Sequence, residues 1–198
     1  MISYSLHLSN KKHALTTTKK VAAASKHNLR QYESKDYCKD NIHVLTGGDN
    51  ILDDLKEAYH QEFDACLDEY NQGKRSDRQI DDYLKYVSES GKNDVAAELI
   101  IQLGDAEFWH DKPPDMWRKM IPIFEEQIKY LGEMVPDFRI VSAVVHLDEK
   151  SPHAHIVNRN FSYIFFLYFQ ANKKRYSINY SDAFYVRLFY SVPSVIIF

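Results

Sequence analysis

Glycine and proline are scarce in this 198-residue chain, at six each, and cysteine and tryptophan scarcer still, at two each. Cys38 and Cys66 stand in no metal-ligand spacing and too few to staple a small secreted domain, so a disulfide scaffold and a cysteine zinc module are both excluded. A reducing cytoplasm fits that usage. The longest apolar stretch, "FSYIFFLYF" at 161–169, falls far short of the roughly 20 residues that cross a bilayer. The start, "MISYSLHLSNKK", lacks the charged, apolar and small-residue order of a signal peptide. The expectation is therefore no membrane span. A formal net charge of -3 gives no global pull toward nucleic acid, so any such surface is local. There is no H-E-x-x-H protease helix, and no glycine follows Gly132 to build a cupin-like barrel around a histidine pair.

What is present suits one globular core. Lysines and arginines gather early (Lys11, Lys12, Lys19, Lys20, Lys26, Arg30, Lys35, Lys39), while acids concentrate around Asp53 to Glu69 and Asp77 to Asp82. This polarity predicts a basic face formed by the N-terminal part. "ISYSLHLS" alternates as a half-buried strand does. The following basic stretch, "NKKHALTTTKKVAAASKHNLRQYESKDYCKDN", reads as an active loop or helix edge with a helix-competent piece at Val21 to Ala24. Leu52, Leu55, Tyr59, Phe63, Leu67 and Tyr70 recur at helical spacing behind an Asp49 or Asn50 cap and before Gly73. A second helix is predicted from Ser76, with Ile80, Tyr83, Leu84 and Val87 on one face. "AAELIIQLGD" is brief and apolar, hence a strand. A third helix spans "PPDMWRKMIPIFEEQIKYLG", ending near Gly132 and kinked at Pro122. "DFRIVSAVVHLDE" then alternates, with Phe138, Ile140, Ser142, Val144 and His146 on one side. The sum is an α+β domain, a mostly antiparallel sheet flanked by helices.

The densest chemistry lies in "VVHLDEKSPHAHIV", residues 144–157, where His146, Asp148, Glu149, His153 and His155 crowd one Ser-Pro turn. Side chains repeat every second residue along a strand, so His153 and His155 share a face. A tight turn at "DEKSP" brings His146 onto that face. Three imidazoles converging on one point suit a divalent transition metal with open positions. Glu149 or Asp148 could complete the sphere or fix an imidazole tautomer, and Glu149 is favoured as the nearer participant. A second constellation, "KHNLR", offers Lys26, His27, Asn28 and Arg30. An arginine fork binds phosphate bidentately, and a histidine serves as base or as nucleophile toward phosphorus. Tyr32 is the rival nucleophile.

"KHNLR", "ELIIQLGDAEFW" and "VVHLDEKSPHAH", in that order and at about that spacing, resemble the Mob/Pre plasmid mobilisation and recombination proteins, the MobV-type relaxases. The hairpin is the specific element, "HNLR" less so and the middle stretch supportive. The resemblance implies a relaxase-like endonuclease fold of the histidine-hydrophobic-histidine (HUH) class. It implies His146, His153 and His155 as ligands of a divalent ion, Mn or Mg, with Glu149 beside them. It implies that His27 attacks the scissile phosphate of plasmid DNA at an origin of transfer, with Arg30 orienting or stabilising that step. Lys26, Asn28 and Arg30 are then the DNA-binding residues, and full-length relatives would pair as homodimers.

Two departures stand out. After "SKDYCKDN" the family often carries a tyrosine implicated in DNA binding, where this sequence has Thr46. Beyond the hairpin, residues 158–198 hold no glycine, no glutamate and one acid, Asp182, with aromatics between Lys173, Lys174, Arg175 and Arg187. Residues 1–157 are thus read as a DNA-nicking domain and 158–198 as a divergent aromatic-rich tail, the truncated or frameshifted end of an A/T-rich gene. Two other readings stay open: a DNA-binding remnant that no longer cuts, and another histidine-rich metal-dependent phosphodiesterase.

Overall fold

The computed structural model describes residues 3–8, 13–32, 34, 35, 37–134 and 138–159. Five strands, β1 (Tyr4–Leu8), β2 (Ile42–Thr46), β3 (Ala97–Leu103), β4 (Ile140–His146) and β5 (His153–Asn158), form one sheet. Its order is β1-β3-β5-β4-β2, and every neighbouring pair is antiparallel. The expected α+β class with an antiparallel sheet is therefore what the chain forms. The helices are α1 (Thr18–Asn28), α2 (Ile51–Asn71), α3 (Tyr83–Ser90), α4 (Ala106–Trp109), α5 (Pro114–Arg118) and α6 (Ile121–Met134).

Each face of the sheet has its own core. On one, Val144 and Val157 meet Val21 of α1, Leu55 and Tyr59 of α2, and Leu84 and Val87 of α3. On the other, Ile101, Ala143, Val145, Ala154 and Ile156 meet Trp109 of α4 and Phe124 and Ile128 of α6. Alternation along β4 and β5 therefore puts His146, His153 and His155 on the α1–α3 side. A register shift between Ile140 and Ser142 marks a β-bulge in β4. One extra residue there moves Ile140 to the α6 side while Val144 stays with the histidines. The uninterrupted alternation expected from Phe138 to His146 fails at that point.

Other departures have local causes. The basic loop contains the 11-residue α1, capped by Thr17, whose side chain accepts from the Lys20 amide. Three successive alanines favour the helix, but only Val21, Ser25 and Asn28 are buried on it, too thin an apolar stripe to show as periodicity. Edge strand β2 was hidden for a similar reason: its residues are half-buried or exposed. Asn50 caps α2 through the Leu52 amide. Helix α3 begins at Tyr83 behind an Asp82 cap; Ser76 opens a separate 3-10 turn. The expected third helix is broken after Arg118 and resumes as α6, with Pro122 in its first turn, where a missing N–H costs nothing. Helix α6 also runs through Gly132 to Met134. No helix among the described residues is long and apolar enough to cross a membrane. Of the expected tail, only Asn158 and Arg159 lie within the described residues.

Candidate metal centre

Backbone pairing assembles the three histidines. His146 on β4 sits directly opposite His153 on β5, and Val144 opposite His155. The rings gather with centroids 4.5 Å apart for His146 and His155, 5.0 Å for His153 and His155, and 5.2 Å for His146 and His153. All three are buried. Each uses one nitrogen on a protein acceptor. His146 donates from Nε2 to the Asn28 carbonyl (2.8 Å), His153 from Nδ1 to the Ser151 carbonyl (2.9 Å), and His155 from Nδ1 to Glu98 Oε1 (2.9 Å). These acceptors hold no proton, so each ring is fixed in one tautomer with its other nitrogen a lone pair; that of His146, Nδ1, accepts from Arg30 Nη2 at 2.9 Å. Burial lowers the His153 pKa to about 4 and pushes His146 in the same direction, so both stay neutral at pH 7.

The end of α1 brings the second half of the site. Arg30 has φ 49°, the chain's one left-handed non-glycine among the described residues. Its amide bonds the His27 carbonyl, and the Gln31 amide bonds the Lys26 carbonyl, which is a Schellman termination of the helix. A glycine would take that conformation without strain; an arginine costs about 1 kcal/mol there. What it gains is a buried clamp. Arg30 Nε and Nη2 reach Asp148 Oδ2 and Oδ1 at 2.9 and 2.7 Å, and Nη2 also reaches Glu149 Oε1 at 2.7 Å. The Arg30 and Asp148 side chains are 1% and 2% exposed. The guanidinium stacks over Tyr37, 4.2 Å from its ring centre, and thereby ties α1 to the β4–β5 turn.

Glu149 is the pivot. Its Oε1 lies 3.5 Å from His146 Nδ1, 3.8 Å from His153 Nε2 and 3.9 Å from His27 Nε2. Contact with His146 first and Arg30 second holds its carboxyl well below the usual range. His27, on the last turn of α1, has a side chain 41% exposed and ring centroids 5.5 and 5.7 Å from His155 and His146. Partial burial, reinforced by the positive potential of His155, Arg30 and His146, lowers its pKa to about 4. At neutral pH it is an uncharged imidazole with a lone pair. Tyr32 is exposed, with its hydroxyl 3.3 Å from His27 Nδ1.

The donor set suits a divalent ion. Two overlapping groups bring ligand atoms within 4.8 Å of one another: His146, Glu149 and His153, and His27, His146 and His155. They share His146, whose Nδ1 is 2.9 Å from Arg30 Nη2. The arginine thus presents positive charge to the same acceptors a cation would use. The three rings gather on one face, but His153 shares ligand-atom reach with His146 and Glu149 while His155 shares it with His146 and His27.

Two expected roles change with burial. The resemblance implies DNA contacts from Asn28 and Arg30, but they are 1% and 4% exposed and their polar groups serve Glu98, Asp148 and Glu149. The arginine fork is filled by a carboxylate rather than open to phosphate. Lys26 alone of the three is exposed. Thr46 closes β2, paired to Ala143 past a register shift. Sequence reasoning passed over Glu98, which accepts from both Asn28 Nδ2 and His155 Nδ1. An acid inside the apolar run "AAELIIQL" is the signal that could have found it.

The antiparallel sheet presents two alternate histidines of β5 beside His27 of α1, the arrangement expected of an HUH-type fold. The sequence pattern of the plasmid recombination enzyme family, Mob_Pre, matches residues 10–179, and the chain belongs to that family. A plasmid recombination enzyme from Bacillus sp. is 30% identical over 104 residues, 51% of this chain but 24% of that protein, so the match spans about a quarter of the relative's length. Among solved structures, the MobM relaxase domain bound to 22-nucleotide plasmid pMV158 oriT DNA with Mn, with and without a 3'-thiophosphate, superimposes with a TM-score of 0.50 in each case. The identity is 21%, and coverage is 93% of this chain and 81–82% of that domain. These likenesses concern the fold.

Proposed function

We propose that this chain is a relaxase-type DNA nickase of plasmid mobilisation and recombination, acting in the cytoplasm on single-stranded plasmid DNA at an origin of transfer. The observation that carries the reading is a neutral, partly exposed His27 set within 6 Å of a buried imidazole cluster in a chain of the plasmid recombination enzyme family. His146, His153 and Glu149, with His155 alongside, would hold the divalent ion, Mn or Mg; Mn is the ion in the related relaxase-domain structures. When bound, such an ion supplies a Lewis acid toward a non-bridging phosphate oxygen. His27 supplies the nucleophile: its lone pair forms the N–P bond as the P–O bond to the leaving deoxyribose oxygen breaks, leaving the DNA end covalently attached for later rejoining. Asn28, Glu98 and Ser151 keep the imidazoles in the ligating tautomers. Arg30 and Asp148 hold Glu149 in place. Residues 1–157 form the nicking unit in this reading.

The test is a supercoiled plasmid carrying a mobilisation origin. It should become nicked, with protein on the DNA end, only when a divalent ion is present. His27→Ala should abolish the adduct and Tyr32→Phe should retain it; the opposite pattern transfers the nucleophile to Tyr32, whose hydroxyl adjoins His27. Nicking that persists in EDTA would reject the metal-dependent mechanism.

A further inference from the structure

Beside the metal centre lies a cavity of about 490 Å3 whose walls include Trp109, Lys112, Trp117, Arg118, Glu149 and Lys150. It lies against α4, α5 and the β4–β5 turn. We propose that this cavity is a nucleotide subsite, taking one unstacked base of single-stranded DNA against Trp117 with its flanking phosphates on Arg118 and Lys150. The inference deepens the nickase reading and rests on it for the identity of the strand.

Four observations converge. The volume lies within the roughly 300–1,000 Å3 of sites that enclose a small organic ligand. Its walls combine aromatic surface with cations, the pairing that grips single strands without reading sequence. Trp109 is buried and rigid: its indole donates to the Leu103 carbonyl at 2.6 Å, and a Cβ on Gly104 would collide with it. Trp117 stands edge-on to it at 5.4 Å and is only half-buried, with surface left for a ligand. Finally, Glu149 belongs to both places, lining the cavity while its Oε1 meets His146 and His153. The aromatic walls belong to the α4–α6 side of the sheet and the imidazoles to the α1–α3 side. The turn carrying Glu149 is therefore where a strand leaving the metal centre would round the sheet's end to place its neighbouring nucleotide here. Arg118 and Lys150 are exposed, whereas Lys112 is partly neutralised by Asp111 at 2.6 Å, so the first two carry the phosphate contacts.

These are the chain's two tryptophans, so intrinsic tryptophan emission reports on this cavity alone. The experiment titrates the protein with a 12-nucleotide dT oligomer in Mn2+, following tryptophan emission and, with labelled DNA, anisotropy. Binding should quench the emission, weaken about tenfold in Trp117→Ala and far less in Trp117→Phe, which keeps a stacking face. Arg118→Ala, at an exposed position that leaves the core intact, should lower the salt dependence of binding by about one phosphate contact. Binding without quenching, or undiminished binding in both Trp117→Ala and Arg118→Ala, would overturn the subsite. So would absence of dT binding by the unaltered protein. Plasmid nicking measured in parallel separates the two ideas. Nicking with no quench removes the subsite and keeps the nickase; quenching without nicking does the reverse.

Discussion

The two faces of β5 are built from adjacent residues and have opposite duties. Ala154 and Ile156 face the α6 side, wholly enclosed by apolar neighbours such as Phe124 and Val145. His153 and His155 face the α1–α3 side among imidazoles, Glu98 and Glu149. Burial is nearly equal on both faces, yet one stabilises by removing carbon from water while the other places polar groups in an enclosed site where every nitrogen needs a partner. The lesson is that enclosure alone does not distinguish scaffold from chemistry. The hydrogen-bond pattern does: each of the three imidazoles is held by one protein acceptor, which leaves its second nitrogen as a lone pair.

The sharpest way to break the contrast is a pair of truncations one residue apart. His155→Ala should reduce origin nicking to background and lower the melting temperature less than the apolar truncation, because Glu98 keeps its Asn28 partner. Ile156→Ala should cost about 2–5 kcal/mol of stability by opening a cavity, while the residual folded protein still nicks. Denaturation and nicking measured on both variants check this, and equal melting temperatures would erase the distinction. A smaller effect is expected from the polar supports. Glu98→Gln keeps the shape but weakens the hold on His155, so Mn2+ affinity by calorimetry should fall about 10–100-fold, with α-helical circular dichroism unchanged. Arg30→Lys should do comparable damage, because a single ammonium cannot bridge Asp148 and Glu149 as the fork does.

The gentlest probe is pH. His153 and His27 have pKa values lowered to about 4 from 6.5, so between about pH 6.5 and pH 4 the unfolded chain takes up protons that the folded chain does not. Stability is therefore full above about 6.5 and declines as the pH falls toward 4. Loss of neutral imidazoles should weaken Mn2+ binding at the bottom of that window. A chelated sample melted at pH 7, 5.5 and 4.5 should show a steady downward trend, and the His153→Ala variant a shallower one. An identical slope in the variant would detach the pH effect from this face.

Much of the site was legible because it is local. The x-His-x-His alternation and the short turn leave two strands little choice but to bring His146 opposite His153, and His27 and Arg30 lie three residues apart. The apolar rhythm of α2 and of β3 was equally plain. What escaped was marked by weak or missing patterns. Helix α1 buries one large apolar residue, Val21, and β2 is a half-exposed edge, so neither announces a period. The β4 bulge leaves no trace in composition. Glu98 looks like an accident in an apolar strand until Asn28 and His155 are beside it.

Alternation and turn chemistry act between near neighbours, so the sequence by itself determined the histidine hairpin, the strand-and-helix class and the likeness to the plasmid recombination enzymes. Only the tertiary structure decided what the neighbouring polar residues do. Whether Arg30 is a phosphate fork or a buried clamp depends on Asp148, 118 residues further along. Whether Asn28 reads DNA or steadies the centre depends on Glu98, 70 residues away. A charged or amide group is assigned its task by the partner that replaces its water, and that partner is chosen by the fold.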